Sequence, residues 1–137
     1  LEAPLKAQAA SLGLDDVLSF PGWVQDKAAF FSEIDVFAFP SSHDVCPVVL
    51  LEAFLWAKPT VLTDCPGPRE ISSDGTDSLL FPIGDAEALA AALGRVLDEP
   101  GLAQRLGAAA QAKILAEHTF DQAGARLERI VRRAAGP

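Results

Sequence analysis

The apolar and polar positions of the chain divide it into short segments of two kinds. LKAQAASLGL (Leu5 to Leu14) has helical spacing, and Gly13 is its stop signal. VLSF (Val17 to Phe20), DVFAFP (Asp35 to Pro40), TVLTD (Thr60 to Asp64) and SLLF (Ser78 to Phe81) are brief apolar runs. Such runs suit strands, and a continuous one such as DVFAFP suits a strand covered on both faces. Asp26 predicts a cap for KAAFFSEI (Lys27 to Ile34), which offers Phe30, Phe31 and Ile34 on one face. VVLLEAFLWA (Val48 to Ala57) reads as a buried helix starting near Pro47, a residue favoured at the first helical position. CPGPREIS (Cys65 to Ser72) predicts a turn opening a short helix. Asp85 predicts the cap of AEALAAALGRVL, with Leu89, Leu93, Val96 and Leu97 as its apolar stripe. Pro100 predicts the start of the next helix, carrying Leu102, Leu106 and Ile114. Thr119 with Gln122 is a capping box for a last helix ending near Arg133.

Strands alternating with helices predict an α/β fold, a Rossmann-like parallel sheet of about four strands with flanking helices. Length adds one domain over residues 1–137. A net charge of -8 argues against nucleic acid as a partner. It leaves room for a local anion site, because free N–H groups at a helix terminus need no net positive charge. No apolar stretch reaches the eighteen or so residues of a transmembrane segment, and LEAPLKAQAA is no signal peptide. Two cysteines suit a reducing, cytoplasmic compartment. A chain that starts with Leu and contains no Met reads as a fragment of something longer.

Candidate chemistry gathers in SSHDVCPVVLLEAFLWAKP (Ser41 to Pro59), where Asp44 and Glu52 have seven residues between them. In a parallel α/β sheet, ligands collect beyond the carboxyl ends of the strands, where the following helices begin. The loop from Ser41 to Val48 lies there, and the helix after it attracts anions such as phosphate. Glu52, early in that helix, leans back toward the same mouth. A carboxylate buried there needs donors, and sugar hydroxyls would serve. An anion-binding terminus flanked by two hydroxyl-binding acids suits a nucleotide sugar. Spacing alone leaves a plainer reading open: Asp44 as a local turn or capping residue, and Glu52 paired with Lys58 or Arg69.

The order of pieces favours the first reading. "VLSFPGWVQDKAAFFSEIDVFAFPSSHDVCPVVLLEAFLWAKPTVLTDCPGPREI", followed by "DGTDSLLFPIGDAEALAAAL", resembles the C-terminal domain of GT-B retaining glycosyltransferases of family 4. The likeness runs from about Val17 to Leu93 and includes the family's Glu-x7-Glu motif. It implies the C-terminal half of a GT-B fold, incomplete at its N-terminus. It also implies transfer of a hexose from a UDP-, GDP- or ADP-sugar with retention and no obligatory metal or other cofactor. Glu52 matches the second Glu, expected on the ribose hydroxyls. Asp44 takes the place of the first, expected near the donor hexose and the reacting carbon. Cys46, Pro47 and Val48 match the loop that approaches diphosphate and sugar, and Gly22, Trp23 and Val24 match the turn lining the base. The family's Gly-rich turn with its basic diphosphate-binding pair, and its acceptor-binding N-terminal domain, are expected upstream of Leu1.

Three departures stand out. Asp44 is one methylene shorter than Glu, about 1.5 Å less reach. Pro47 lacks an N–H. Ala57 replaces the glycine expected at a left-handed helix end. The resemblance implies that the chain alone transfers no sugar and binds nucleotide weakly; the alternative is a non-catalytic, degenerate GT-B domain kept for nucleotide or partner binding. A zinc site or disulfide from His43, Cys46 and Cys65 lacks a second paired motif. Arg69 is expected at a phosphate or in a salt bridge with Glu70 or Asp64. His118 is expected as a solvated helix-end residue. RLERIVRRAAG (Arg126 to Gly136) is expected as a solvated face or as packing for the missing domain. In the full-length protein the resemblance leaves peripheral membrane contact open.

Overall fold

The computed structural model describes residues 2–136. The chain divides into two compact units, Leu1–Phe30 and Phe31–Pro137.

In the first unit, α1 (Glu2–Ser11) buries only Ala9. It starts earlier than the apolar spacing suggests and ends at Gly13, which takes φ +67° as a stop signal should. The strand expected over Val17 to Phe20 does not form. The N–H groups of Val17 and Leu18 donate to the Leu14 carbonyl at 3.1 and 2.9 Å, closing a turn, and both side chains are exposed. A short apolar run becomes a strand only with a neighbour to pair with, and local carbonyls take its amides here. Asp26 does cap α2 (Lys27–Glu33), its carboxylate accepting from the Ala29 N–H at 2.9 Å.

The second unit is built on β1 (Phe37–Phe39), β2 (Thr60–Thr63) and β3 (Leu79–Phe81), parallel and in that order. Phe37, Ala38 and Phe39 align with Thr60, Val61 and Leu62; Val61, Leu62 and Thr63 align with Leu79, Leu80 and Phe81. Among the described residues the sheet therefore has three strands rather than four. The central strand β2 is buried throughout, whereas Ala38 of β1 is exposed. The exposed Ala38 leaves one face of β1 open, so DVFAFP is not covered on both faces as its apolar run suggested.

Alternation along β2 sends Val61 and Leu62 to opposite faces, and a separate core grows on each. Val61 joins Leu79, Phe81, Val96, Leu102 and Leu106; Leu62 joins Leu50, Phe54, Ala110 and Ile114. The helices supplying these residues are α3 (Val48–Leu55), α5 (Ala86–Asp98) and α6 (Leu102–Glu117). Helix α6 serves both cores, and the short α4 (Pro66–Ile71) follows β2. Asp85 caps α5 by accepting from the Ala88 N–H at 2.9 Å. Leu89 and Leu93 are half-buried and Val96 buried, but Leu97 is 66% exposed. The buried line of α5 runs through Ala92 and Val96, and one further residue turns about 100° away from it. Helix α6 begins at Leu102, after Gly101 with φ 77°, rather than at Pro100 as expected.

Helix α7 (Phe120–Ala135) is capped by the Thr119 hydroxyl, which accepts from the Gln122 N–H at 3.3 Å. It buries no residue: Leu127, Ile130 and Val131 are exposed along with its arginines, and Arg132 pairs with Glu128 at 2.7 Å. His118 is the exposed C-cap of α6. No described helix is long and apolar enough to cross a membrane.

Candidate functional site

The carboxyl ends of β1, β2 and β3 open onto a cavity of about 260 Å³ lined by Pro40, Ser41, Thr63, Phe81, Gly84 and Leu89 among others. Its polar groups are largely occupied by structure. The Thr63 hydroxyl donates to the Phe39 carbonyl at 3.1 Å, and the Asp85 carboxylate caps α5. Neither Asp44 nor Glu52 lines it.

Asp44 lies in the loop between β1 and α3 and is half-buried. One carboxylate oxygen accepts from the Cys46 N–H at 2.9 Å, closing a tight turn, and its own carbonyl accepts from the Gly67 N–H at 2.9 Å. The plainer reading of Asp44 as a turn residue is thus correct as local structure. It does not exhaust the side chain, because an ionised carboxylate offers about four acceptor positions. Cys46 and Val48 are exposed beside it, whereas Pro47 is buried. Pro47 sits one place earlier than expected: with φ -73° and ψ 93° it is the extended N-cap, and Val48 is the first helical residue.

No side chain caps α3, whereas Asp26, Asp85 and Thr119 cap α2, α5 and α7. The Leu50 N–H donates back to the Pro47 carbonyl at 2.9 Å. The first turn otherwise presents its amides and the positive end of the helix dipole at the carboxyl edge of the sheet. Glu52, half-buried, stands in the second turn. Nearby, Lys58 donates to the Ile34 carbonyl at 2.9 Å, and Arg69 grips Asp64. Asp64 receives both Nε and Nη2 of Arg69, the latter at 2.6 Å. These hydrogen bonds hold the Asp64 carboxyl below the usual carboxylate range and raise Arg69 further.

Gly22, Trp23 and Val24 belong to the other unit. Gly22 takes φ +69°, Trp23 is 86% exposed and Val24 half-buried. Cys46 and Cys65 are free thiols, the first exposed and the second buried. Among the described residues no group of three His, Cys, Asp or Glu could hold a metal.

Sequence reasoning missed two features, one beside each end of α3. Gly67 is buried against the Asp44 backbone, and Gly107 of α6 lies against the Ala57 carbonyl just beyond α3. It also missed Asp77, whose nearly buried carboxylate accepts from the Ser73 N–H at 2.7 Å and from Lys113 at 2.9 Å, tying α6 to the turn before β3. Acid and base lie far apart in the chain, so no local pattern announces the pair.

The profile of the family described as Glycosyl transferases group 1 matches residues 1–99, most of the chain. The chain belongs to this family. It is 36% identical over 98 residues to the lipopolysaccharide core biosynthesis glycosyltransferase LpsE of Rhizobium meliloti, covering 72% of this chain and 29% of that protein. It is 37% identical over 97 residues to LpsD of the same organism, covering 71% of this chain and 28% of that protein. The chain therefore spans less than a third of the length of these curated relatives. Among solved structures, HepE of Anabaena in complex with UDP superposes with a TM-score of 0.90 at 22% identity, over 94% of this chain and 36% of that one. Sucrose-phosphate synthase of Thermosynechococcus elongatus superposes with a TM-score of 0.86 at 23% identity, over 95% and 33%. The parallel sheet with flanking helices is that of the Rossmann-like domain of GT-B glycosyltransferases.

Proposed function

We propose that this chain is the donor-binding part of a retaining glycosyltransferase that moves a hexose from a nucleotide sugar to a glycan or lipid acceptor. Membership of the Glycosyl transferases group 1 family supports the reaction class. The observation that carries the site is the uncapped first turn of α3, with Asp44 before it and Glu52 one turn inside. The α3 amides face the diphosphate, Glu52 accepts from the ribose hydroxyls, and Asp44 stands at the hexose. Cys46 to Val48 follow the sugar and diphosphate. HepE, a fold relative, was solved with UDP, which agrees with a nucleotide guest. The reading needs no metal, places the protein in the cytoplasm, and assigns the acceptor site and the basic diphosphate pair to an N-terminal GT-B domain. That division of labour leaves residues 1–137 alone without transferase activity.

The test uses the full-length protein with a panel of UDP-, GDP- and ADP-hexoses. Glu52→Ala is expected to weaken nucleoside diphosphate binding about 100-fold, as loss of two charge-assisted hydrogen bonds implies. Asp44→Ala is expected to abolish transfer while binding of the diphosphate falls far less, and residues 1–137 alone give no turnover. Unchanged nucleotide affinity in Glu52→Ala would remove the ribose assignment. Full activity in Asp44→Ala would leave Asp44 as the turn residue its bond to Cys46 already makes it, whereas no turnover by the unaltered protein with any donor would favour the non-catalytic alternative.

A further inference from the structure

Gly67 lies in α4, buried, between Pro66 and Pro68. Its N–H donates to the Asp44 carbonyl at 2.9 Å. A Cβ at Gly67 would stand 2.5 Å from the Asp44 carbonyl oxygen, 2.9 Å from the Asp44 carbonyl carbon and 3.0 Å from that of Val45. All three are backbone atoms, so no side-chain rotation relieves the overlap. The segment that carries Gly67 is itself stiff. Two prolines fix φ on either side of it, and the Arg69 N–H donates to Cys65 O at 3.0 Å. The Ser72 hydroxyl returns to Pro68 O at 2.6 Å, and Arg69 grips Asp64. The Asp44 peptide is thus pressed against a rigid support on one side while its carboxylate holds the Cys46 amide on the other.

We infer that Gly67 is a positioning residue for sugar transfer. By admitting the Asp44–Val45 backbone to contact distance, it sets where the Asp44 carboxylate stands. The role in transfer rests on the reading of Asp44 given above; the pinning of the loop does not. Displacement by about 1 Å at a reacting group costs on the order of 100-fold in rate, and a Cβ at Gly67 demands a shift approaching that size.

The experiment compares Gly67→Ala with Gly107→Ala in the full-length protein. The second variant meets an equally unyielding carbonyl, Ala57 O at 2.0 Å, but beyond the far end of α3. Gly67→Ala is expected to lower kcat about 100-fold, with the KM for the active nucleotide sugar within about threefold. The Cys46 amide should exchange with solvent at least about tenfold faster once its Asp44 acceptor is displaced. Gly107→Ala, assayed below its melting transition, should keep kcat within about threefold and leave Cys46 exchange unchanged. Equal losses of kcat in the two variants, or unchanged Cys46 exchange in Gly67→Ala, overturn the inference. Should Gly67→Ala fail to fold, exchange in the unaltered protein decides: a Gly67 amide without protection refutes the pinning, and protection near that of β2 supports it. If the unaltered protein transfers no sugar from any hexose donor, the reading of Asp44 fails, whereas the exchange measurements still judge the pinning.

Discussion

The two ends of α3 use the same device, a glycine against a backbone carbonyl, yet they are held very differently. Beyond its C-terminus, Ala57 takes φ 52°, and its N–H donates to Phe54 O while that of Lys58 donates to Ala53 O. This is a Schellman motif with alanine in the left-handed place. Gln111 of α6 adds a bond to Leu55 O at 2.7 Å, Lys58 reaches Ile34 O, and Gly107 closes on Ala57 O. The buried Phe54, Ala110 and Ile114 consolidate that end. Ahead of the N-terminus, Gly67 and the Asp44–Cys46 turn hold a loop whose Val45, Cys46 and Val48 remain exposed. One end is locked into the core. The other is fixed in position while its polar groups stay open, as a binding loop on a rigid scaffold requires.

The contrast predicts a graded response to substitution. Gly107→Ala strikes the locked end and has the largest effect on stability, about 3 kcal/mol from overpacking against an unyielding carbonyl. Thermal unfolding of the full-length protein should show a melting temperature several degrees lower; an unchanged value would mean that α6 yields without cost. Ala57→Gly acts at the same end with the opposite sign. Relief of the left-handed strain should exceed the added freedom of the unfolded chain, a net gain of about 0.5–1 kcal/mol. Denaturant titration can read this, and a loss of stability would show that Ala57 is not strained.

Arg69→Ala, on the Gly67 side, has the smallest effect, because its pair with Asp64 is largely exposed. The sign of its pH dependence is nevertheless defined. Arg69 depresses the Asp64 pKa in the folded state, so the pair stabilises above the ordinary carboxylate pKa, near 4, and the benefit disappears as pH falls through the depressed value. The melting-temperature difference between the native protein and Arg69→Ala should be constant above about pH 4 and shrink toward zero below it. A difference that grows on acidification would contradict the assignment.

How much of this was legible in the chain depends on the range of the interaction. The caps Asp26, Asp85 and Thr119 were legible because a side chain three residues from its partner amide needs nothing else. The left-handed turn at Ala57 was legible through the family resemblance, which expects a glycine at that helix end. The 17–20 run misled because four apolar residues carry no sign of whether a strand will be there to pair with them. Gly67 and Gly107 gave no signal, since each matters only through a carbonyl brought to it by the fold.

By itself, then, the sequence determined the α/β class, the helix caps, the family resemblance and the placing of Asp44 and Glu52 before and within one helix. These follow from spacing and local hydrogen bonding. Only the tertiary structure decided that α3 enters uncapped, that Arg69 serves Asp64, and that a glycine presses on the backbone beside each end of α3. Those outcomes depend on which distant segments pack together, and contact geometry of that kind is not written in any one stretch of the chain.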